Sequence, residues 1–419
     1  MSLLGDQVVA LALTLRLQAQ GADPGWVAAL LIGALAPSVV LAPVVGRLSD
    51  RYDGRWLLLA SSAGQAAVCV ALATQDSPPR LVGLACALGI GQAVNGTTWQ
   101  VLLAHTAGPG RLTAALGLSQ AAGTAASIAA PALAGLLTGL GGSRLPLLLG
   151  GGLFALVTSA TPALASGSGS GGSGGSPFPA GGGQPGNPTQ RDPLLRLLLG
   201  MLGVFVTLGA MVNVVEVYLV RGTLHASATW YGLVRTAFAA GLLGGALGAG
   251  RLRGDAVLAR AFVLGSTSLA AGLALTAAVP SVGWLLPVSI TVGVSNGVLN
   301  VALGALVLGR AAEEVRGRVT ATMGAVASSA SIAAYVLGGS LATALTPREV
   351  FALGGALGLL APLLIGRRLI RAAGSPPTDA HAGQGDAGGR SGAAQRPAAG
   401  LPAGGAIDGA IDGAIDGAT

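Results

Sequence analysis

Chemistry in this chain has to come from a few polar residues set inside long apolar stretches. Asp6 stands among Leu, Val and Ala with Gln7 beside it, and Arg16 and Gln18 follow on the same stretch. A carboxylate in hydrocarbon costs roughly 2.5–3.5 kcal/mol on insertion scales, so such a residue is a functional candidate by default. Desolvation favours its protonated form, and that makes Asp6 a candidate proton carrier. Arg16 is ten residues on, about 15 Å along a helix at ~1.5 Å per residue, too far to neutralise it. Glu216 and Arg235 form a second candidate set, one turn from the end of one stretch and one turn into the next, placed for an ion pair or gate. Glu216 is also the second candidate for proton coupling. The amides Gln92, Asn95, Gln120, Asn213, Asn296 and Asn300 recur on four stretches and are candidates to line a cavity or to bond between helices.

Other chemistry is excluded. GVSNG (293–297) and GGSGG (171–175) fit the G-x-S-x-G spacing of hydrolases. That motif works only on a strand–turn–helix elbow with His and acid partners, and these two lie in an apolar run and a Gly/Ser run. Cys69 and Cys86 sit in apolar runs, and His105, His225 and His381 are scattered, so neither a disulfide framework nor a metal site is expected. No catalytic residue is expected, and no cofactor. The basic balance has no aromatic platform for nucleic acid.

The elements that position these residues follow from composition. Of 419 residues, 52% are hydrophobic and 9% charged, with mean hydropathy +0.71. A soluble domain carries about 25% charged residues, so a soluble enzyme or nucleic-acid-binding domain is ruled out. A membrane span needs about 20 apolar residues. Twelve stretches qualify: about 2–19, 26–47, 56–75, 80–104, 111–140, 145–165, 193–220, 230–251, 257–279, 283–309, 316–345 and 348–370. The expected class is an all-α membrane protein with twelve transmembrane helices.

An internal repeat sets the arrangement. Shifted by 204, Trp26 falls on Trp230, Gly46-Arg47-Leu48 on Gly250-Arg251-Leu252, Gly89 on Gly293, Gln92 on Asn296, and SIAAPALAG (127–135) on SIAAYVLGG (331–339). GRLTAALG (110–117) matches GRVTATMG (317–324) at a local offset of 207. Matches in one order on a nearly constant offset imply two parallel six-helix repeats, a transporter arrangement with binding at the repeat interface. The expected domains are a first bundle (1–165), a Gly/Ser/Pro linker (166–192), a second bundle (193–372) and a disordered tail (373–419) ending in AIDG repeats. Since 193 lies 204 residues beyond a position before Met1, the repeat also predicts apolar codons upstream that complete the first helix.

All 23 basic residues are arginine. With both termini in the cytoplasm, 17 of them fall inside or in the tail and six outside: Arg16, Arg80, Arg144, Arg221, Arg235 and Arg348. The positive-inside rule then predicts a multi-pass inner-membrane protein with linker and tail cytoplasmic.

Residues 46–56 read GRLSDRYDGRW. This resembles the signature loop of the major facilitator superfamily, in the variant with an extra Asp found in its enterobactin-exporter and macrolide-efflux branch. Gly46, Asp50, Arg51 and Arg55 match the loop's functional positions; its second-half counterpart GRLRGD (250–255) is degenerate. Physically, Asp50 could sit at a helix N-terminus or pair with Arg, and a pair formed in one state only would latch that state. ASIAAPALAG (126–135) resembles the family's antiporter motif at Pro131 and Gly135, which allow a kink and close packing, although Ala126, Ala130 and Ala134 replace glycines.

The resemblance implies alternating access between two bundles. The leading expectation is proton-coupled efflux of small apolar or weakly polar molecules (a drug, macrolide or siderophore), energised by the proton gradient, by a monomer in the lipid bilayer. Metabolite uptake is the alternative within transport. A non-transporting scaffold or sensor is the alternative outside it, disfavoured by the preserved Asp50/Arg51/Arg55 loop and by Asp6.

Overall fold

The computed structural model describes residues 2–107, 112–165, 193–310 and 316–373. The linker and tail of the expected domain plan lie outside these residues. The described chain folds into thirteen α-helices: α1 (Ser2–Ala19), α2 (Pro24–Val40), α3 (Ala42–Arg51), α4 (Gly54–Thr74), α5 (Pro78–Ala107), α6 (Leu112–Gly141), α7 (Arg144–Ala165), α8 (Pro193–Val217), α9 (Ala228–Ala249), α10 (Asp255–Ala278), α11 (Val282–Arg310), α12 (Arg316–Ala344) and α13 (Pro347–Ala373). A π-helical turn, Tyr218–Thr223, extends α8. No strand occurs among the described residues. Nine of the helices are long and apolar enough to cross a membrane, and Pro24–Val40 and Arg144–Ser159 are shorter apolar segments.

Each expected span begins within two residues of an observed helix. The exception in kind is 26–47, which is two helices. Pro43 has no N–H to donate to the helix ladder and stands in the first turn of α3, so α2 ends at Val40 and α3 starts at Ala42. Counting α2 and α3 as one broken unit, the chain has twelve helical units.

The repeat is visible in three dimensions. α9, α11 and α12 begin 204 residues after α2, α5 and α6. The packing pairs recur under the same exchange: α2 on α5 and α9 on α11, α4 on α7 and α10 on α13, α1 on α6 and α8 on α12. The two most extensive contacts between halves, α6 on α9 and α2 on α12, also exchange with each other. The fold is thus two parallel six-helix repeats related by a pseudo-two-fold.

Glycine sets how closely these helices approach. Gly241 and Gly245 of α9 lie against the backbone at Ile290 and Val294 of α11, while Gly293 and Gly297 lie against Phe238 and Leu242. Without side chains to separate them, the helices gain dispersion contact that the apolar surroundings cannot supply. The GVSNG segment is therefore a helix-packing face. In the first repeat, Gly89 lies equally close to the Ala34 carbonyl of α2.

Candidate functional site

We call the end of the bundle where α1 finishes and α2 starts the distal end. α1 lies against α6 and α7 of its own half, and Asp6 on its second turn faces α4. Gln65 Nε2 donates to Asp6 Oδ1 at 3.2 Å. Gln65 is eleven residues into the 21-residue α4, so the carboxyl lies beside the middle of that span. The donors continue in one direction: Asn95 Nδ2 donates to Gln65 Oε1, and the Ser61 hydroxyl donates to Asn95 Oδ1. Gln92, one turn before Asn95 on α5, faces the same carboxyl. Gln65 is 1% exposed and Asn95 5%. No arginine forms an ion pair with Asp6 among the described residues. A carboxyl held by amides and hydroxyls can exist with or without its proton, because no arginine among the described residues depends on its charge.

Arg16 is spent elsewhere. Its Nη2 meets Asp76 Oδ1 at 2.5 Å and its Nη1 donates to the Leu72 carbonyl at 2.7 Å. Asp76 lies in the loop between α4 and α5, and the Arg16 guanidinium holds its carboxyl below the ordinary value of 3.8.

The second half carries a charged cluster. Arg235 Nη1 lies 2.9 Å from Glu216 Oε2 and 2.8 Å from Asn213 Oδ1, with its guanidinium 5.9 Å from the centre of the Phe238 ring. Arg235 is seven residues into α9, about 10 Å along the helix, and therefore deeper than the single turn expected. Glu216 is charge-compensated and Asp6 is not, so the two acids differ in kind.

The remaining candidates are dispersed. Asn300 Nδ2 donates to Asn296 Oδ1 at 2.5 Å, pairing these two along α11. Gln120 is exposed on α6. Asp50 falls in the last turn of α3, not at a helix N-terminus; that position belongs to Asp53, whose Oδ1 accepts from Arg55 N at 3.0 Å and caps α4. The surroundings of Gly46 and the side chain of Asp50 lie outside what the structure describes. Arg51 is exposed and Arg55 half-buried. α6 runs unbroken through Pro131. Gly135 lies against α9: a Cβ there would stand 2.7 Å from the Ala228 carbonyl and 2.8 Å from Gly232 Cα.

The halves meet on the distal side. Tyr218 Oη donates to the Ala22 carbonyl at 2.9 Å, Arg221 Nε to Gln18 Oε1 at 3.0 Å, and Thr236 Oγ1 to the Ile128 carbonyl at 3.1 Å. Gly339 of α12 packs on Ala28 of α2, where a Cβ would stand 2.8 Å away.

Sequence reasoning missed Gln65, Ser61 and the Gln18–Arg221 contact. A signal for the first two existed: they are polar residues inside an otherwise apolar, uncharged run. For the last there was none, since its partners lie 203 positions apart.

Two parallel six-helix repeats, closed on each other at one end and with polar groups buried between apolar helices, define a membrane carrier. The chain belongs to the Major Facilitator Superfamily, whose family model matches residues 1–220 and again 197–400. Among solved structures, it is similar to a bacterial homologue of the human lysosomal transporter Spinster in an inward-facing, occupied conformation (TM-score 0.66, 12% identity, 89% of this chain and 93% of that one). It is also similar to a bacterial homologue of the iron transporter ferroportin in an inward-facing state (0.63, 17%, 89% and 96%). A third is the nucleoside transporter NupG (0.63, 10%, 88% and 98%). At these identities the likeness is one of fold. No curated protein sequence matches the chain.

Proposed function

We propose that this transporter is a proton-coupled exporter of small apolar or weakly polar molecules, working by alternating access with both termini in the cytoplasm. The observation that carries the reading is the Asp6–Gln65–Asn95–Ser61 chain. An acid beside mid-span, with neutral hydrogen-bond partners, can load a proton when one side is open and release it when the other is. The arginine distribution supports the orientation, which makes the distal end the outer one. The loop at 46–56, with Asp50, Arg51 and Arg55, supports the assignment to the drug, macrolide or siderophore exporters. The protein acts as a monomer in the inner membrane, with no enzymatic step.

One observation favours the second reading, uptake of a polar metabolite. Arg235, Glu216 and Asn213 gather a cation, an anion and an amide about two turns into the bundle, which suits a polar cargo more than an apolar one. The discriminating experiment is a resistance and accumulation screen in an efflux-deficient host, with and without a protonophore. Lower accumulation of an apolar compound, reversed by the protonophore, supports export. Higher accumulation of a polar metabolite supports uptake. Unchanged accumulation of every compound overturns both.

A further inference from the structure

We propose that a cavity at the distal end binds an oxyanion of the phosphate type, and that this anion ties the two halves together there. The cavity measures about 650 Å³ and lies between the last turns of α1 and α6 and the first turns of α7 and α9. Three arginines line it: Arg16 and Arg144 from the first half and Arg221 from the second. Asp76 is the one acid among the described lining residues.

The hydrogen bonds divide these charges. Arg16 and Asp76 satisfy each other, and Arg16 is only 5% exposed. Arg221 is held by Nε on Gln18, which leaves both its Nη groups without a protein acceptor among the described residues. Arg144 is exposed and makes no side-chain hydrogen bond among them, and its charge acts with that of Arg16 on the Asp76 carboxylate. Three guanidinium groups share one carboxylate in this concavity, and an anion between Arg144 and Arg221 offsets the remaining positive excess. The guanidinium fork matches two oxygens of a tetrahedral oxyanion, which an ammonium would not do.

Local structure aims these groups. α7 starts at Arg144 and α9 at Ala228, with Ser227 capping the α9 start on Trp230 N, so two long helices direct N-terminal N–H groups towards the cavity. The C-terminal carbonyls of α1 and α6 also border the cavity, so the helix ends balance and the arginines supply its positive charge. The π-helical turn holds Arg221: Leu224 N donates to the Leu219 carbonyl at 2.9 Å and Ala226 N to the Val220 carbonyl at 3.0 Å, folding the chain back over it. Because Arg144 and Arg221 come from different repeats, the site is complete only while the distal ends are together. Bound anion therefore favours the distally closed state.

Inorganic phosphate and a phospholipid headgroup share this chemistry. The test measures melting of the purified full chain in neutral detergent, with sodium phosphate against sodium chloride at equal ionic strength. A parallel arm compares nanodiscs of phosphatidylglycerol and phosphatidylcholine. We expect one or both anions to raise the melting temperature by about 2–4 °C over its control. Phosphate alone would identify a soluble ligand, and phosphatidylglycerol alone a headgroup. Arg144→Gln and Arg221→Gln should each remove most of the rise, while Arg196→Gln, at the opposite end of α8, should keep it. If Arg221→Gln does not fold, Arg221→Lys retains the charge without the fork and should weaken the rise. No rise in either arm, a rise that survives both variants, or dependence on Arg144 alone would overturn the proposal.

Discussion

Gln65 donates to Asp6 across the interface of α4 and α1, and its carbonyl accepts from Asn95 of α5, so one amide joins three helices to one carboxyl. The repeat places Ala210, Leu269 and Leu299 at the positions equivalent to Asp6, Gln65 and Asn95. The polar chain is thus confined to the first half. In the second half the partly buried Glu216–Arg235 pair joins α8 to α9 instead.

Asp6→Asn mimics the protonated carboxyl permanently. Proton-driven accumulation in inverted vesicles should fall at least tenfold, while cargo binding and downhill exchange persist. Accumulation at the wild-type rate under an imposed pH gradient would show Asp6 to be structural and pass the role to Glu216.

Gln65→Leu leaves the Asp6 carboxyl and the Asn95 amide without their shared partner. Each unsatisfied buried group costs about 1–3 kcal/mol, so the variant should melt several degrees lower in detergent. Gln65→Glu, able to accept from Asn95 but placing a second acid beside Asp6, should move the pH dependence of transport as well. A Gln65→Leu melting point equal to wild type would mean that water replaces the amide.

The Arg16–Asp76 pair predicts a pH-dependent stability. Asp76 has a lowered folded value, so its contribution is present above the ordinary carboxylate range and is lost as pH falls through the folded value. Between pH 5 and 7, wild type should out-melt Asp76→Asn by a constant margin; below an ordinary value of 3.8 the margin should shrink towards zero. A margin unchanged down to pH 2.5 would rule out the charge pair as its source.

Gly232 faces the Pro131 carbonyl and Gly135 across the α6–α9 contact, leaving no room for a side chain. Gly232→Val should push the distal ends apart, at about 1–3 kcal/mol. A cysteine introduced at Thr229 should then react faster with a membrane-impermeant maleimide. Unchanged reactivity with normal folding would mean that the helices absorb the methyls by sliding.

Asp50→Asn keeps the size of the loop residue and removes its charge. If the loop latches one conformation, transport should fall severalfold while membrane insertion is normal. A wild-type rate would reduce the loop to a topological signal.

The sequence alone determined the helices, their order and their pairing into repeats. A membrane span is a local property, about 20 apolar residues whose backbone must satisfy itself, so composition in a window suffices. The 204-residue offset likewise needs no coordinates, and the starts of α9, α11 and α12 follow those of α2, α5 and α6 by that number. Asp6 was legible as a candidate because a charge in an apolar run is costly wherever it packs.

What only the tertiary structure decided is which polar groups meet. Gln65 and Gln120 look alike in sequence, yet one is buried on a carboxyl and the other exposed, because helix rotation about its own axis is set by packing against neighbours. Arg16 and Arg221 both read as outer positive charges. Folding gave the first an acid from the loop between α4 and α5, and left the second's fork without an acceptor among the described residues, beside the other half of the molecule. Rotation, crossing and the closure of one end depend on contacts between residues from 30 to more than 200 positions apart, and no local pattern encodes them.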